Sequence, residues 1–178
     1  MKKTLFFVLA LAVICIMPSC VKDSTKGKVI FGNDKGMSVI SYEGIPLVVQ
    51  YSHFSWGYTV DLNSDGQDDV QFYSTSEILG GGILTELKCM HENIALLGGL
   101  LDREFALLAN NANDSFDDDD TFMSTDVKLR EGNKYYFPKD ETKYIGFKLT
   151  ENDQIHLGWM KVILHEDEVE LLETAIQK

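Results

Sequence analysis

Two runs of sequence decide the fold of this chain: Tyr144-Ile145-Gly146-Phe147-Lys148-Leu149 and Ile155-His156-Leu157-Gly158-Trp159-Met160-Lys161-Val162-Ile163-Leu164. In both runs apolar residues alternate with other residues, which is the period of a β-strand. The short polar stretch at residues 150–154 joins the runs as a β-hairpin. Residues 169–176 also fit a helical spacing. However, a hairpin implies a sheet that needs further partners, and this run is therefore predicted to be a strand.

Short runs rich in Val, Ile, Tyr and Phe, separated by Gly, Asn and Asp, extend this pattern toward the N-terminus. They predict strands at residues 29–31, 37–42, 47–51, 58–62 and 70–75. Residues 83–97 fit a strand or a helix, and the glycines on both sides favour strands. Residues 100–108 are the best candidate for a short helix. The sequence thus predicts an all-β fold with one short helix at most, an antiparallel β-sandwich of jelly-roll or lectin-like form.

An acidic loop lies between two of these strands, with the sequence Asp61-Leu62-Asn63-Ser64-Asp65-Gly66-Gln67-Asp68-Asp69. Oxygen-bearing side chains fall at loop positions 1, 3, 5 and 9, and a glycine at position 6 allows a sharp turn, which is the spacing of a calcium-binding loop. The predicted metal ligands are Asp61, Asn63, Asp65, Gln67 through its backbone carbonyl, and Asp69. A metal-free turn held by Asp and Asn side chains is the alternative.

The residue at loop position 12 distinguishes this loop from the calcium-binding loop of an EF-hand sensor. An EF-hand has a bidentate glutamate there, whereas this chain has Phe72. Because strands are predicted on both sides, the loop is expected to hold Ca²⁺ as a structural ion. A second acidic stretch, residues 109–120, lacks a glycine at which the chain could turn around an ion. It is predicted to be a long, solvated surface loop.

The N-terminus has the pattern of a bacterial export signal. Lys2 and Lys3 precede an apolar run at residues 5–17 that is too short for an ordinary membrane-spanning helix. The run ends in Met17-Pro18-Ser19-Cys20, which resembles the cleavage box of bacterial lipoproteins. That resemblance implies a lipid on Cys20 and anchoring in the bacterial cell envelope, at the periplasmic or surface face of the outer membrane. Simple secretion with cleavage nearby is the alternative.

These features divide the chain into a signal peptide at 1–19, a polar tether at 20–28 and a single β-sandwich domain at 29–178. Only Cys89 remains as a thiol once Cys20 is lipidated, so no intrachain disulfide is expected. Cys89 lies in an alternating apolar stretch and is predicted to be a buried small hydrophobe.

The excess of acidic over basic residues limits the classes of partner that this chain is expected to bind. The chain has 16 basic and 28 acidic residues, and removal of Lys2 and Lys3 leaves 14 against 28, a net charge of −14. Such a charge makes nucleic acid and anionic headgroups poor partners. It favours cations, basic partners, or neutral ligands such as glycans.

Three parts of the chain together resemble exported bacterial β-domains. They are the acidic loop with its exit strand Gln71-Phe72, the run Tyr144-Ile145-Gly146-Phe147, and the run Leu157-Gly158-Trp159-Met160-Lys161-Val162. Such domains occur in secreted or surface-exposed proteins, so the resemblance implies a β-sandwich fold and an exported location. It does not imply an activity.

The expected function is that of a lipid-anchored, calcium-stabilised binding or structural module, with a glycan or an envelope protein as its ligand. The alternative is a carbohydrate hydrolase that uses sheet-face carboxylates near Trp56 or Trp159. A third hypothesis is an interaction of the acidic residues 114–120 with a basic partner. The four histidines show no metal-ligand spacing and no serine lies in a nucleophile elbow, so no catalytic residue is predicted.

Overall fold

The computed structural model describes residues 27–42, 56–77, 82–101, 104–166 and 168–178. These residues form fourteen strands and contain no helix. Every strand pair between them is antiparallel, which confirms the predicted all-β sandwich class. Within these ranges there is no helix of the length and apolarity required to cross a membrane. The predicted strand at 47–51 lies outside the described residues.

The first sheet has five strands. In spatial order they are β11 (Lys134–Tyr135), β10 (Val127–Glu131), β5 (Gly82–Cys89), β4 (Val70–Glu77) and β3 (Trp56–Val60). Buried and less buried residues alternate along β4, as expected for a strand with one face against a core.

The second sheet has seven strands. In order they are β2 (Met37–Ser41), β14 (Val169–Gln177), β13 (Gln154–Leu164), β12 (Thr142–Glu151), β6 (Ile94–Leu101) and β7 (Glu104–Leu107), with β9 (Phe122–Met123) also paired to β6. The predicted hairpin is confirmed as β12 and β13, with Gly146 opposite Trp159. The run at 169–176 is confirmed as a strand that pairs with β13.

The prediction of a helix at residues 100–108 is wrong. Instead, β6 turns back into β7, and Leu100 lies opposite Phe105 in the antiparallel register. Leu96 of the same strand pairs with Phe147 of β12 and is fully buried. Pairing of β7 with β6, a strand that itself joins the central hairpin through residues 94–96, therefore outweighs the local helix preference of this run.

The main core fills the space between the two sheets. It contains Phe72 and Leu87 from the first sheet and Phe147, Met160 and Leu171 from the second. The far face of the seven-stranded sheet carries a second apolar cluster. A two-stranded ribbon, β1 (Val29–Ile30) with β8 (Ser115–Phe116), contributes to this second cluster.

The prediction that residues 109–120 are only a solvated loop is wrong, because β8 of this ribbon lies within them. Phe116 is 2% exposed and stacks on Phe31 with the ring centroids 4.8 Å apart. Tyr144 of β12 packs against both Phe31 and Trp159. The acidic residues of the stretch therefore flank an aromatic anchor that covers the far face of the sheet.

Candidate metal centre

The acidic loop connects β3 to β4 at one end of the five-stranded sheet. Val60 pairs with Val70, and the Asp69 N–H donates to the Val60 carbonyl at 2.9 Å, which closes the base of the loop. Ser64 and Gly66 have left-handed φ angles of 63° and 90°. Glycine adopts this conformation at little cost, so the reversal at Gly66 follows from the sequence.

The Asp61 carboxylate organises the first half of the loop. Its Oδ1 accepts the N–H groups of Ser64 at 2.7 Å and Asp65 at 3.2 Å, and its Oδ2 accepts that of Gly66 at 2.8 Å. These bonds orient a carboxylate inside the turn. An ionised carboxylate has about four lone-pair sites, so Asp61 keeps acceptor capacity for a cation.

Asn63, Asp65 and Gln67 form the rim of the loop. Asn63 Oδ1 accepts the Asp65 N–H at 3.0 Å, and Asp65 Oδ1 accepts the Gln67 N–H at 2.7 Å. Asn63 Nδ2 also donates to Asp65 Oδ2 at 3.1 Å. Asp65 and Gln67 are exposed, as is Asp68, which is not among the predicted ligands.

Asp69 is the deepest residue of the set, with 3% exposure. Its Oδ2 accepts the Leu62 N–H at 2.7 Å. Burial raises the pKa of the Asp69 carboxyl to about 6, and the charges of Asp61, Asp65 and Glu151 add to the rise against the lowering effect of the Leu62 N–H. A carboxylate that is costly to ionise in a buried, negative site is one that a cation would stabilise.

Glu151 is a site residue that the sequence did not reveal. It is the last residue of β12, and its carboxylate accepts a hydrogen bond from Asn63 Nδ2 across 88 positions of sequence. Glu151 supplies a carboxylate at a loop that has Phe72 at position 12. Local spacing contains no signal for a residue this distant, and only the packing of the two sheets brings it to the loop.

A cleft of about 490 Å³ opens beside the loop. Its lining is polar and comes from three segments: Asp65, Gln67 and Asp69 of the loop, His91 and Asn93 after β5, and residues 150–152 at the end of β12. The loop and the hairpin tip thus share one accessible surface.

The donor set suits a hard divalent cation. Calcium prefers carboxylate, amide and carbonyl oxygens, and the loop with Glu151 provides these types. The oxygens of Asp61, Asp65 and Asp69 are nevertheless not gathered within 4.8 Å of one another. In the described part of the chain, only Asp117, Asp118 and Asp119 meet that criterion. An ion at the loop would therefore have to draw the carboxylates inward.

The Asp117–Asp119 turn gathers its carboxylates more closely than the sequence suggested. Its backbone is held by the Asp117 side chain, which accepts the Asp119 N–H at 3.0 Å, and by Asp120, which accepts the Asp117 N–H at 2.8 Å. Acidic turns of this kind form without a metal.

The remaining predicted residues fall in different places. Cys20 lies outside the described residues. Cys89 is half-buried against the main core, and burial raises the pKa of its thiol, in keeping with a packing role. Trp159, near which the hydrolase alternative places its carboxylates, is 1% exposed and is therefore not accessible to a sugar ring. The side chain of Trp56 lies outside the described side chains.

Comparisons with protein-family models, with curated proteins and with solved structures found no match to this chain. Its function is therefore inferred from its own residues. The resemblances to bacterial lipoproteins and to exported β-domains stay predictions.

Proposed function

We propose that this protein is a lipid-anchored β-sandwich of the bacterial cell envelope, stabilised by Ca²⁺ at residues 61–69, that binds a glycan or an envelope protein. The observation that carries the calcium proposal is Asp69, a buried carboxylate whose pKa is raised to about 6 beside Asp61, Asp65 and Glu151. A divalent cation would offset both the burial and the mutual repulsion of these groups.

The role of the ion is structural. The loop joins two strands of one sheet, and Glu151 ends a strand of the other sheet. An ion bound to Asp61, Asp65, Asp69 and Glu151 would therefore join the two layers of the sandwich. Outside the cytoplasm weak calcium sites with dissociation constants of about 10⁻⁴–10⁻³ M are filled.

Thermal unfolding tests the calcium proposal. At about 10 mM free Ca²⁺ and a dissociation constant of about 10⁻⁴–10⁻³ M, a single site stabilises the folded state by roughly 1.4–2.7 kcal/mol. The sample is the full chain with Cys20→Ser in a maltoside detergent, compared in Ca²⁺, in Mg²⁺ and in EDTA at matched ionic strength.

Asp61→Ala with Asp65→Ala should abolish the difference between Ca²⁺ and Mg²⁺. Asp117→Asn with Asp119→Asn is the matched control and should keep it. Because Asp61 also accepts three backbone N–H groups, the double variant will be less stable in EDTA as well. The readout is therefore the Ca²⁺-specific shift and not the absolute midpoint. A wild-type shift no larger in Ca²⁺ than in Mg²⁺ would refute the proposal.

The anchoring proposal has its own test. The full chain expressed in a bacterium that makes lipoproteins is labelled with an alkyne fatty acid. Label on the wild type and its loss in Cys20→Ser are expected, with Cys89→Ser retaining the label. Equal labelling of wild type and Cys20→Ser would contradict the assignment of Cys20. A glycan array screened with and without Ca²⁺ then tests the glycan part of the proposal.

A further inference from the structure

A small cavity lies on the ribbon side of the seven-stranded sheet, where β2 begins and β14 ends. It has a volume of about 120 Å³ and is lined by Lys28, Asn33, Lys35 and Gln177, together with apolar and glycine residues of the same turns. None of the described residues that line it is acidic. In a chain with a net charge of −12 this is an unusual concentration of positive charge.

The two lysines of the cavity differ from most of the other described lysines. Lys88, Lys128, Lys139 and Lys143 each lie within 4.0 Å of a carboxylate oxygen. Lys134 and Lys148 lie over aromatic rings. Lys28 and Lys35 have no carboxylate partner in the described part of the chain, so both ammonium groups are free for an external anion.

The walls of the cavity are held in place by hydrogen bonds. The Asn33 N–H donates to the Ile30 carbonyl at 3.1 Å, and the Met37 N–H donates to the Asp34 carbonyl at 2.9 Å, which closes two successive turns. Asn33 Oδ1 accepts the Lys35 N–H at 3.0 Å. This bond fixes the Asn33 amide so that its Nδ2 group remains as a further donor.

Gln177 fixes the opposite wall. Its Oε1 accepts the Leu157 N–H at 3.2 Å, and its Nε2 donates to the Gly27 carbonyl at 3.1 Å. The same residue therefore joins the cavity to β13 and to the start of the described chain. A site with walls fixed in advance loses less entropy on binding than one that must order.

We infer that this cavity binds a phosphate group. Lys28, Lys35 and Asn33 contribute two ammonium groups and a side-chain amide to the lining, and such donors suit a tetrahedral oxyanion. The volume limits the bound part to a single small group. The net negative charge of the whole protein, with Asp34 next to Lys35, opposes the approach of an anion, so binding depends on short-range contacts with the two lysines that line the cavity.

Two sources can supply this group, free phosphate compounds and the headgroups of a membrane. Lys28 follows Cys20 by eight positions. An extended chain of eight residues reaches about 26–29 Å, so the cavity of an anchored molecule can reach headgroup phosphates.

Inorganic phosphate tests the site directly. The full chain with Cys20→Ser, in a maltoside detergent, is titrated at constant ionic strength while backbone amide signals of Asn33, Lys35 and Gly36 are followed by NMR. EDTA is present throughout, so the result is independent of the calcium proposal. Saturable shifts of these signals are expected, and Lys28→Gln with Lys35→Gln should weaken binding by at least about tenfold because two charge-assisted contacts are lost.

Lys134→Gln with Lys161→Gln is the matched control, because it removes the same charge elsewhere and should leave the affinity within about twofold. Vesicles of phosphatidylglycerol and of phosphatidylcholine then distinguish the sources. A preference for phosphatidylglycerol that Lys28→Gln with Lys35→Gln removes and the control keeps identifies the headgroup. Saturable phosphate binding, with partitioning into both vesicles unchanged by Lys28→Gln with Lys35→Gln, identifies a free phosphate compound. Shifts that do not saturate, or equal effects of the two double variants, would overturn the inference.

Discussion

Replacement of Glu151 by glutamine tests whether the proposed calcium site is completed from the second sheet. Glutamine keeps the size of the side chain and an oxygen that can accept the hydrogen bond from Asn63 Nδ2, so only the charge is lost. In EDTA we expect the free energy of unfolding to stay within about 0.5 kcal/mol of the wild type, as for most surface substitutions.

In Ca²⁺ the variant should differ clearly from the wild type. If loss of one carboxylate ligand weakens the site about tenfold, the stabilisation at about 10 mM Ca²⁺ falls from roughly 1.4–2.7 to roughly 0.4–1.4 kcal/mol. For a domain of this size that loss lowers the calcium-induced rise in Tm by about 2–5 °C. Differential scanning calorimetry in Ca²⁺, Mg²⁺ and EDTA measures it.

Glu141→Gln is the control next to the opposite end of the same strand. Glu141 lies just before the other end of β12 and pairs with Lys143 at 2.8 Å, so its replacement removes the same charge far from the loop. It should leave the calcium-induced rise unchanged. If Glu151→Gln and Glu141→Gln kept equal calcium shifts, Glu151 would not be a ligand and the ion would be held by the loop alone.

Three further outcomes are expected. The contact of His165 Nδ1 with Asp140 at 2.9 Å raises the His165 pKa. The stabilisation from this contact is therefore complete below pH 6.5 and is lost as the pH rises through the raised pKa. His165→Gln should remove this pH-dependent contribution, at most about 1 kcal/mol, in unfolding measured from pH 5 to 9. Gly158→Ala should lower the free energy of unfolding in urea by at least about 2 kcal/mol, because the added Cβ would lie 2.5 Å from the Ala175 carbonyl oxygen. In the control Gly99→Ala the added Cβ meets nothing within 4 Å, and the loss should be less than half as large. Phe116→Ala should lower the free energy of unfolding by about 3–5 kcal/mol, and a cost below 1 kcal/mol would show that the ribbon does not cover a core.

The elements that sequence predicted well are those whose signal is local. The hairpin of β12 and β13 has alternation in both strands and a polar turn between them, and its pairing extends from Thr142 opposite Ile163 to Glu151 opposite Gln154. The turn of the acidic loop was also predicted from local signals, because Gly66 and the flanking strands are all adjacent in sequence. In both cases the residues that fix the geometry are neighbours in the chain.

The failures have a common physical origin in long-range contacts. Residues 100–108 were predicted to be helical from their local pattern, but they turn back along β6, a strand that pairs with β12 through residues 94–96. Phe116 lies in an acidic stretch, and only its stacking on Phe31 identifies it as a core residue. Glu151 was missed for the same reason, since it meets the acidic loop through the packing of distant strands.

The contact between Gln177 and Gly27 has a mechanical consequence. Tension applied to the chain ahead of Gly27 acts first on a single side-chain hydrogen bond and on the two residue pairs that join β1 to β8. These bonds can break one after another, whereas β13 and β14 are joined by seven residue pairs and resist as a group. A pull from the N-terminal side would separate β1 from β8 and withdraw Phe31 from the second cluster before it loaded β13 and β14.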